Sequence, residues 1–152
     1  MIKVLCVGKI KDDNLSNMIN DYIKKINKYH NIKIVEVKDE PISKDENKVL
    51  NIEADNVLKH IEKDEYVILL DLHGKQYDSV EFASHLDRLF ISHSKICFVI
   101  GGSLGLGEKL IERGNERLSL SKMTFLHQMT RLIILEQIYR SYKILNNETY
   151  HK

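Results

Sequence analysis

The stretch FVIGGSLGLGEK, residues 98–109, decides how the rest of the chain is read. An apolar run from Phe98 to Ile100 enters a loop holding four glycines, and Glu108 then opens a helical pattern. A strand that runs into a glycine loop and on into a helix is one βα unit of an α/β protein, and such a loop lets bare backbone approach a ligand. A glycine-rich tight turn that holds nothing is the alternative reading of the same residues.

Outward from this loop, Val-, Ile- and Leu-rich runs recur at 2–7, 32–37, 66–71 and 95–100, with a weaker one, RLSLS, at 117–121. Most are too continuously apolar to have a solvated face, which predicts a parallel or mixed sheet covered on both sides. Helical patterns lie between them. Residues 14–28 place Leu15, Met18, Ile19, Tyr22, Ile23 and Ile26 on one stripe, and 45–62 repeat the pattern under a heavier charge load. Ser79 is the expected cap of a third helix, and the last helix spans about 126–145. In that helix Leu132 to Leu135 are consecutive and point all round the axis, so it needs cover on every side. In so small a chain the second cover is expected to be another subunit, with a helix threaded through the monomer as the alternative.

The alternation of strands and helices predicts a three-layer α/β/α domain with a mostly parallel sheet, formed by residues 1–152 as one unit. A chain of 152 residues buries an adequate core without disulfides or metals. Cys6 and Cys97 lie in apolar runs without CxxC spacing and are expected to be buried, reduced thiols. The lone proline, Pro41, falls in KDEPISKDENK, expected to be a mobile connection. No apolar run reaches the ~20 residues of a membrane span, and the N-terminal run is too short for a signal peptide, so a cytoplasmic location is expected. With a net charge of +1, any nucleic-acid signature has to be local.

The loop's chemistry narrows its ligand. Gly102 and Gly107 have the interval of a phosphate-binding GxxxxGK loop, but Glu108 stands in the lysine place and Lys109 in the hydroxyl place. A GxGxxG fingerprint is absent. A carboxylate about 4 Å from a phosphate charge costs ~1 kcal/mol in water and ~4 at an effective dielectric of 20. Glu108 suits a helix start on its own account, which leaves the loop to a neutral or cationic ligand.

The C-terminal segment concentrates the missing charge. From residue 122 onward Lys122, Arg131, Arg140, Lys143 and Lys152 face only Glu136 and Glu148, a local +3, with Tyr139, Tyr142 and Tyr150 interleaved. Cations meet phosphate and aromatic faces stack on unpaired bases, which suits RNA; a solvated amphipathic face with core tyrosines is the plainer reading. His127, Arg131 and Leu135 form an i, i+4 ladder along the last helix.

VIGGSLGLG (99–107), SLSKMTFLHQMTRLIILEQIYRSYKI (119–144), the opening VGKIKD (7–12) and the closing YHK (150–152) together resemble the ribosomal RNA large-subunit methyltransferase H family, small members of the SPOUT class. The similarity runs end to end; Leu126 stands where the family pattern has proline, a change at the helix start. The resemblance implies a C-terminal trefoil knot, a topology that general folding rules would reject. It also implies a homodimer that uses S-adenosylmethionine to methylate N3 of a pseudouridine in 23S ribosomal RNA on assembled ribosomes, with no metal. Cofactor contacts are implied at Leu70, Gly101, Gly102, Leu120, Ser121, Lys122, Met123, Thr124 and Phe125. A donor without phosphate and with a positive sulfonium agrees with the loop's chemistry.

The attacking imide nitrogen must lose a proton, so a base or an anion-stabilising cation is needed. The candidates are His127, Arg131, Tyr150 and His151. RNA contacts are expected from Arg131, Tyr139, Arg140, Lys143, Tyr150, His151 and Lys152. Two rivals remain at this level: a nucleotide-phosphate enzyme using the glycine loop, and a noncatalytic dimeric RNA-binding module.

Overall fold

A computed structural model describes residues 1–152 as alternating strands and helices: β1 (Ile2–Val7), α1 (Asp13–Ile26), β2 (Ile32–Val37), α2 (Glu46–Leu58), β3 (Tyr66–Lys75), α3 (Ser79–Ser92), β4 (Ile96–Ile100), α4 (Glu108–Arg113), β5 (Glu116–Leu118) and α5 (His127–Leu145). The strands form one sheet in the order β2-β1-β4-β3-β5, and every pairing is parallel. The mixed alternative is thereby removed.

The apolar runs follow from this arrangement. Ile2, Val4 and Cys6 of β1 and Ile96, Phe98 and Ile100 of β4 project to one face, where α1, α3 and α5 cover them. Leu5 and Val7 with Cys97 and Val99 project to the other, against Ala54 and Val57 of α2 and Leu110 of α4. Each buried aliphatic or aromatic side chain contributes ~1.5–3 kcal/mol, which requires both faces to be dry. Burial also pushes both cysteine thiols up to about 12, so they are protonated and inert.

Several element ends differ from the sequence expectation. Asp78, not Ser79, caps α3: its carboxylate accepts from Glu81 N while the Glu81 side chain accepts from Asp78 N, a reciprocal capping box. A serine beside a better-placed aspartate becomes the first helical residue. β3 extends past Asp71 to Lys75, and its pairing with β5 shifts between Leu70 and Lys75, a bulge that bends the strand at its carboxyl end. β5 is only three residues long, so Ser119 to Ser121 belong to the loop after it. Leu126 has φ −57 and is the residue before α5, so the helix starts where a proline would have started it.

α5 lies between α1 and α3 over the sheet. Ile134, Leu135 and Ile138 are sealed, while Leu132 and Ile133 stay half-buried and Met129 is exposed. No helix is long and apolar enough to cross a membrane.

Candidate active site

Because all strands are parallel, their carboxyl ends share one edge, where ligands bind in open α/β sheets. The ends of β3, β4 and β5 and the first turn of α5 enclose a cleft of about 420 Å³ there. Leu70, Asp71 and Leu72 form one wall, Gly101 to Ser103 with Gly105 and Leu106 a second, and Leu118 to Ser121 with Met123 to His127 a third.

The glycine loop is shaped by close approach. Gly102 and Gly105 pair across a tight turn, with Gly105 N donating to Gly102 O at 3.0 Å. Gly105 has φ 86, and a Cβ on Gly101 would sit 2.5 Å from the Gly105 carbonyl oxygen. Only hydrogen fits at Gly101, so backbone faces the cleft where side chains would fill it. Opposite, Ser119 Oγ donates to Ser121 O at 2.9 Å and Ser121 Oγ accepts from Met123 N at 3.0 Å, which folds 119–123 into a second backbone-lined turn.

The electrostatics of the lining are simple. It contains no lysine or arginine, and its one carboxylate is Asp71, held by Arg117 Nη1 at 3.1 Å. An oligophosphate would find no cationic partner in the lining, whose Leu70, Leu106 and Leu120 offer apolar surface instead. No group of three His, Cys, Asp or Glu side chains is arranged to hold a metal ion.

Eight of the nine cofactor positions expected from sequence line this cleft; Lys122 does not. Asp71, Leu72, Ser103, Leu106, Ser119 and Thr130 line it as well and were not foreseen. Asp71 and Leu72 close an apolar run, Ser103 and Leu106 stand within the glycine stretch and Ser119 within RLSLS, while nothing local marks Thr130 on α5. His127 lies on the rim, and burial first, then the Arg131 charge, lower its pKa below the ordinary histidine value. It is neutral at neutral pH and able to accept a proton.

The other expected site residues lie elsewhere. Arg131 is turned inward, 1% exposed, with Nη1 on Glu36 and Nη2 on the carbonyls of Val7 and Gly8. Its guanidinium is spent inside the fold and offers no surface to RNA. Tyr139, Arg140, Lys143, Tyr150 and His151 gather around the far half of α5, ~20 Å along the helix from His127 at 1.5 Å per residue. There Tyr139 packs edge-on against Tyr22 and Tyr150, Lys143 pairs with Glu148 at 2.7 Å, and Arg140 pairs with Glu136 and contacts His151. His151 and Lys152 are exposed. Burial, then contacts with Tyr22 and Glu136, raise the Tyr150 pKa well above its usual value, so its hydroxyl is a donor and not a base.

A parallel sheet with a cleft at the carboxyl ends of its strands, lined without lysine or arginine, is an α/β ligand site, and the comparisons give the family. The family model described as "Predicted SPOUT methyltransferase" matches residues 1–151, and the chain belongs to that family. It is 45% identical to proteins of Clostridium botulinum and Ruminiclostridium cellulolyticum, each named ribosomal RNA large subunit methyltransferase H, over 99% of this chain and 99% of each relative. A Methanococcus maripaludis relative is 47% identical over the same shares. Among solved structures, "a probable methylase family protein" of Haemophilus influenzae Rd KW20 shares the fold, with TM-score 0.52 and 17% identity over 96% of this chain and 66% of that one.

Proposed function

We propose that this chain transfers a methyl group from S-adenosylmethionine to ring nitrogen N3 of a pseudouridine in large-subunit ribosomal RNA, acting in the cytoplasm on the assembled ribosome. The observation that carries the reading is the cleft: two backbone-lined turns, apolar walls, one carboxylate and no cation, in a SPOUT methyltransferase chain. The names of the relatives supply the ribosomal RNA substrate.

The donor, when bound, supplies a methyl carbon on a positive sulfur. The Gly101–Gly105 turn and residues 119–121 and 123–125 would hold it with backbone groups, while the Lys122 side chain stays outside the lining. Leu70 and Leu120 would offer apolar surface to the donor's adenine. In-line displacement depends on alignment, so a rigid wall accelerates the reaction by fixing the approach. Neutral His127 at the rim accepts the imide proton.

The tail residues Tyr150 and His151 lie at the opposite end of α5 from this cleft, so within one chain they do not reach it. The reading therefore includes a homodimer in which the exposed Leu72, Met123, Leu126 and Met129 are covered and the tail serves the partner's cleft. It also includes a C-terminal trefoil knot and RNA contacts by Arg140, Lys143 and Lys152. With a net charge of +1 the protein binds naked RNA weakly and needs a folded ribosomal surface.

The test is mass spectrometry of 23S ribosomal RNA from cells with and without the protein. One methyl mark on a pseudouridine is expected to disappear, and to return when purified protein and S-adenosylmethionine are added to intact ribosomes. An unchanged set of marks overturns the reading.

A further inference from the structure

Arg131 stands one turn of α5 beyond His127, and it does more than fill space. Its Nη1 donates to Glu36 Oε2 at 2.8 Å, and its Nη2 donates to Gly8 O at 2.7 Å and Val7 O at 3.2 Å. The same Glu36 oxygen accepts from Ile10 N at 3.1 Å. Gln128, beside His127, donates to Lys9 O at 3.4 Å. The turn that leaves β1 is thus gripped from β2 and from α5 at once.

This grip is not what core stability alone would select. Burying a guanidinium carries a desolvation cost that an apolar residue of similar volume avoids. Here the cost is not even fully offset, since the buried Arg131 Nε has no hydrogen-bond partner. What the arrangement provides is position. A methyl group built on Gly8 would lie 3.9 Å from His127 Nε2, 3.9 Å from the Asp39 carboxyl carbon and 4.0 Å from Arg131 Nη2. Imidazole, carboxylate and guanidinium therefore converge over the end of β1, and His127 also borders the cleft.

We propose that Glu36 and Arg131 are positioning residues for methyl transfer: their ion pair clamps the Gly8–Ile10 turn to the start of α5 and so holds the His127 imidazole at the cleft rim. The inference rests on the assignment of that cleft as the methyl-donor site. Three charged groups set the surroundings of His127: Arg131 on α5, Asp39 after β2, and Glu36 on β2, acting through Arg131. Arg131 favours the neutral imidazole and Asp39 the charged one. Glu36 offsets part of the Arg131 charge, so its loss favours the neutral form further.

The experiment uses the full-length protein with Glu36→Gln, which keeps an acceptor but drops the charge, and Arg131→Lys, which keeps the charge but loses the fork. Four quantities are read: the His127 titration by NMR in the protein alone, donor affinity by calorimetry, kcat and KM for methylation of ribosomes, and the thermal midpoint. Glu36→Gln is expected to displace the His127 titration to lower pH and to reduce kcat roughly tenfold or more with little change in donor affinity. Arg131→Lys is expected to reduce kcat likewise. Should Arg131→Lys fail to fold, Glu36→Gln decides alone. An unmoved His127 titration with wild-type kcat per folded molecule overturns the proposal, even if the midpoint falls, because the pair would then be merely structural. If wild-type protein methylates no ribosomal RNA while Glu36→Gln still moves the His127 titration, the assignment of the cleft fails and the clamp stands.

Discussion

The Tyr150 hydroxyl donates to Glu136 Oε1 at 3.1 Å, which pins the carboxyl-terminal tail to the middle of α5, away from the cleft lining. Arg140 reinforces the attachment by lying 4.8 Å over the Tyr150 ring while bonded to Glu136 and His151. Glu136→Ala should therefore release residues 150–152, while Glu148 stays tied to Lys143 and Tyr29, and cost ~1 kcal/mol of stability. Hydrogen exchange of the tail amides checks the first expectation and urea denaturation the second.

Deleting Tyr150 to Lys152 should abolish methylation of ribosomes while leaving donor affinity intact, because the tail is absent from the cleft of its own chain. Radiolabelled methyl incorporation beside calorimetry separates the two effects. Wild-type turnover by the shortened chain would remove the tail from the mechanism.

Gly101→Ala should damage donor binding more than folding. The added Cβ would lie 2.5 Å from Gly105 O, so the turn must open, at ~1–3 kcal/mol for overpacking. A loss of donor affinity of at least ~10-fold, at ~1.4 kcal/mol per decade, is expected in calorimetry.

ATP should not compete with S-adenosylmethionine, since the cleft lining has no lysine or arginine to meet phosphate. Calorimetric titration of donor-saturated protein with ATP should give no heat of displacement.

Stability should fall as the solution is acidified from neutrality. Burial is the first cause that lowers the pKa of both His30 and His127, followed by a neighbouring positive charge, the chain's amino terminus for His30 and Arg131 for His127. A lowered folded-state pKa means that the unfolded chain takes up protons first. The contribution is complete above the unfolded value near 6.5 and is lost as pH drops through the lower folded values, at ~1.4 kcal/mol per unit of displacement. Urea denaturation across pH 8 to 5 tests the slope, and His30→Asn should flatten it.

Much of this was open to reading in the one-dimensional chain. Continuous apolar strands separated by amphipathic helices determined a three-layer α/β domain, and the glycines after Ile100 marked a tight turn at the carboxyl end of a strand. These features were legible because periodicity and glycine sterics act among residues close in the chain.

The tertiary structure decided the rest, and charged groups show why. Lys3 lies within the IKVLCV strand yet is buried, paired with Glu65 at 2.8 Å, and Arg131, on an apparently basic helix, turns inward to a carboxylate 95 residues away. Whether a cation faces RNA or its own protein depends on which distant acceptor the fold delivers to it, and burial without that acceptor would be prohibitive. The same holds for the tail: Tyr150 and His151 were expected beside His127, but α5, a helix of 19 residues, lies between them and only His127 lines the cleft.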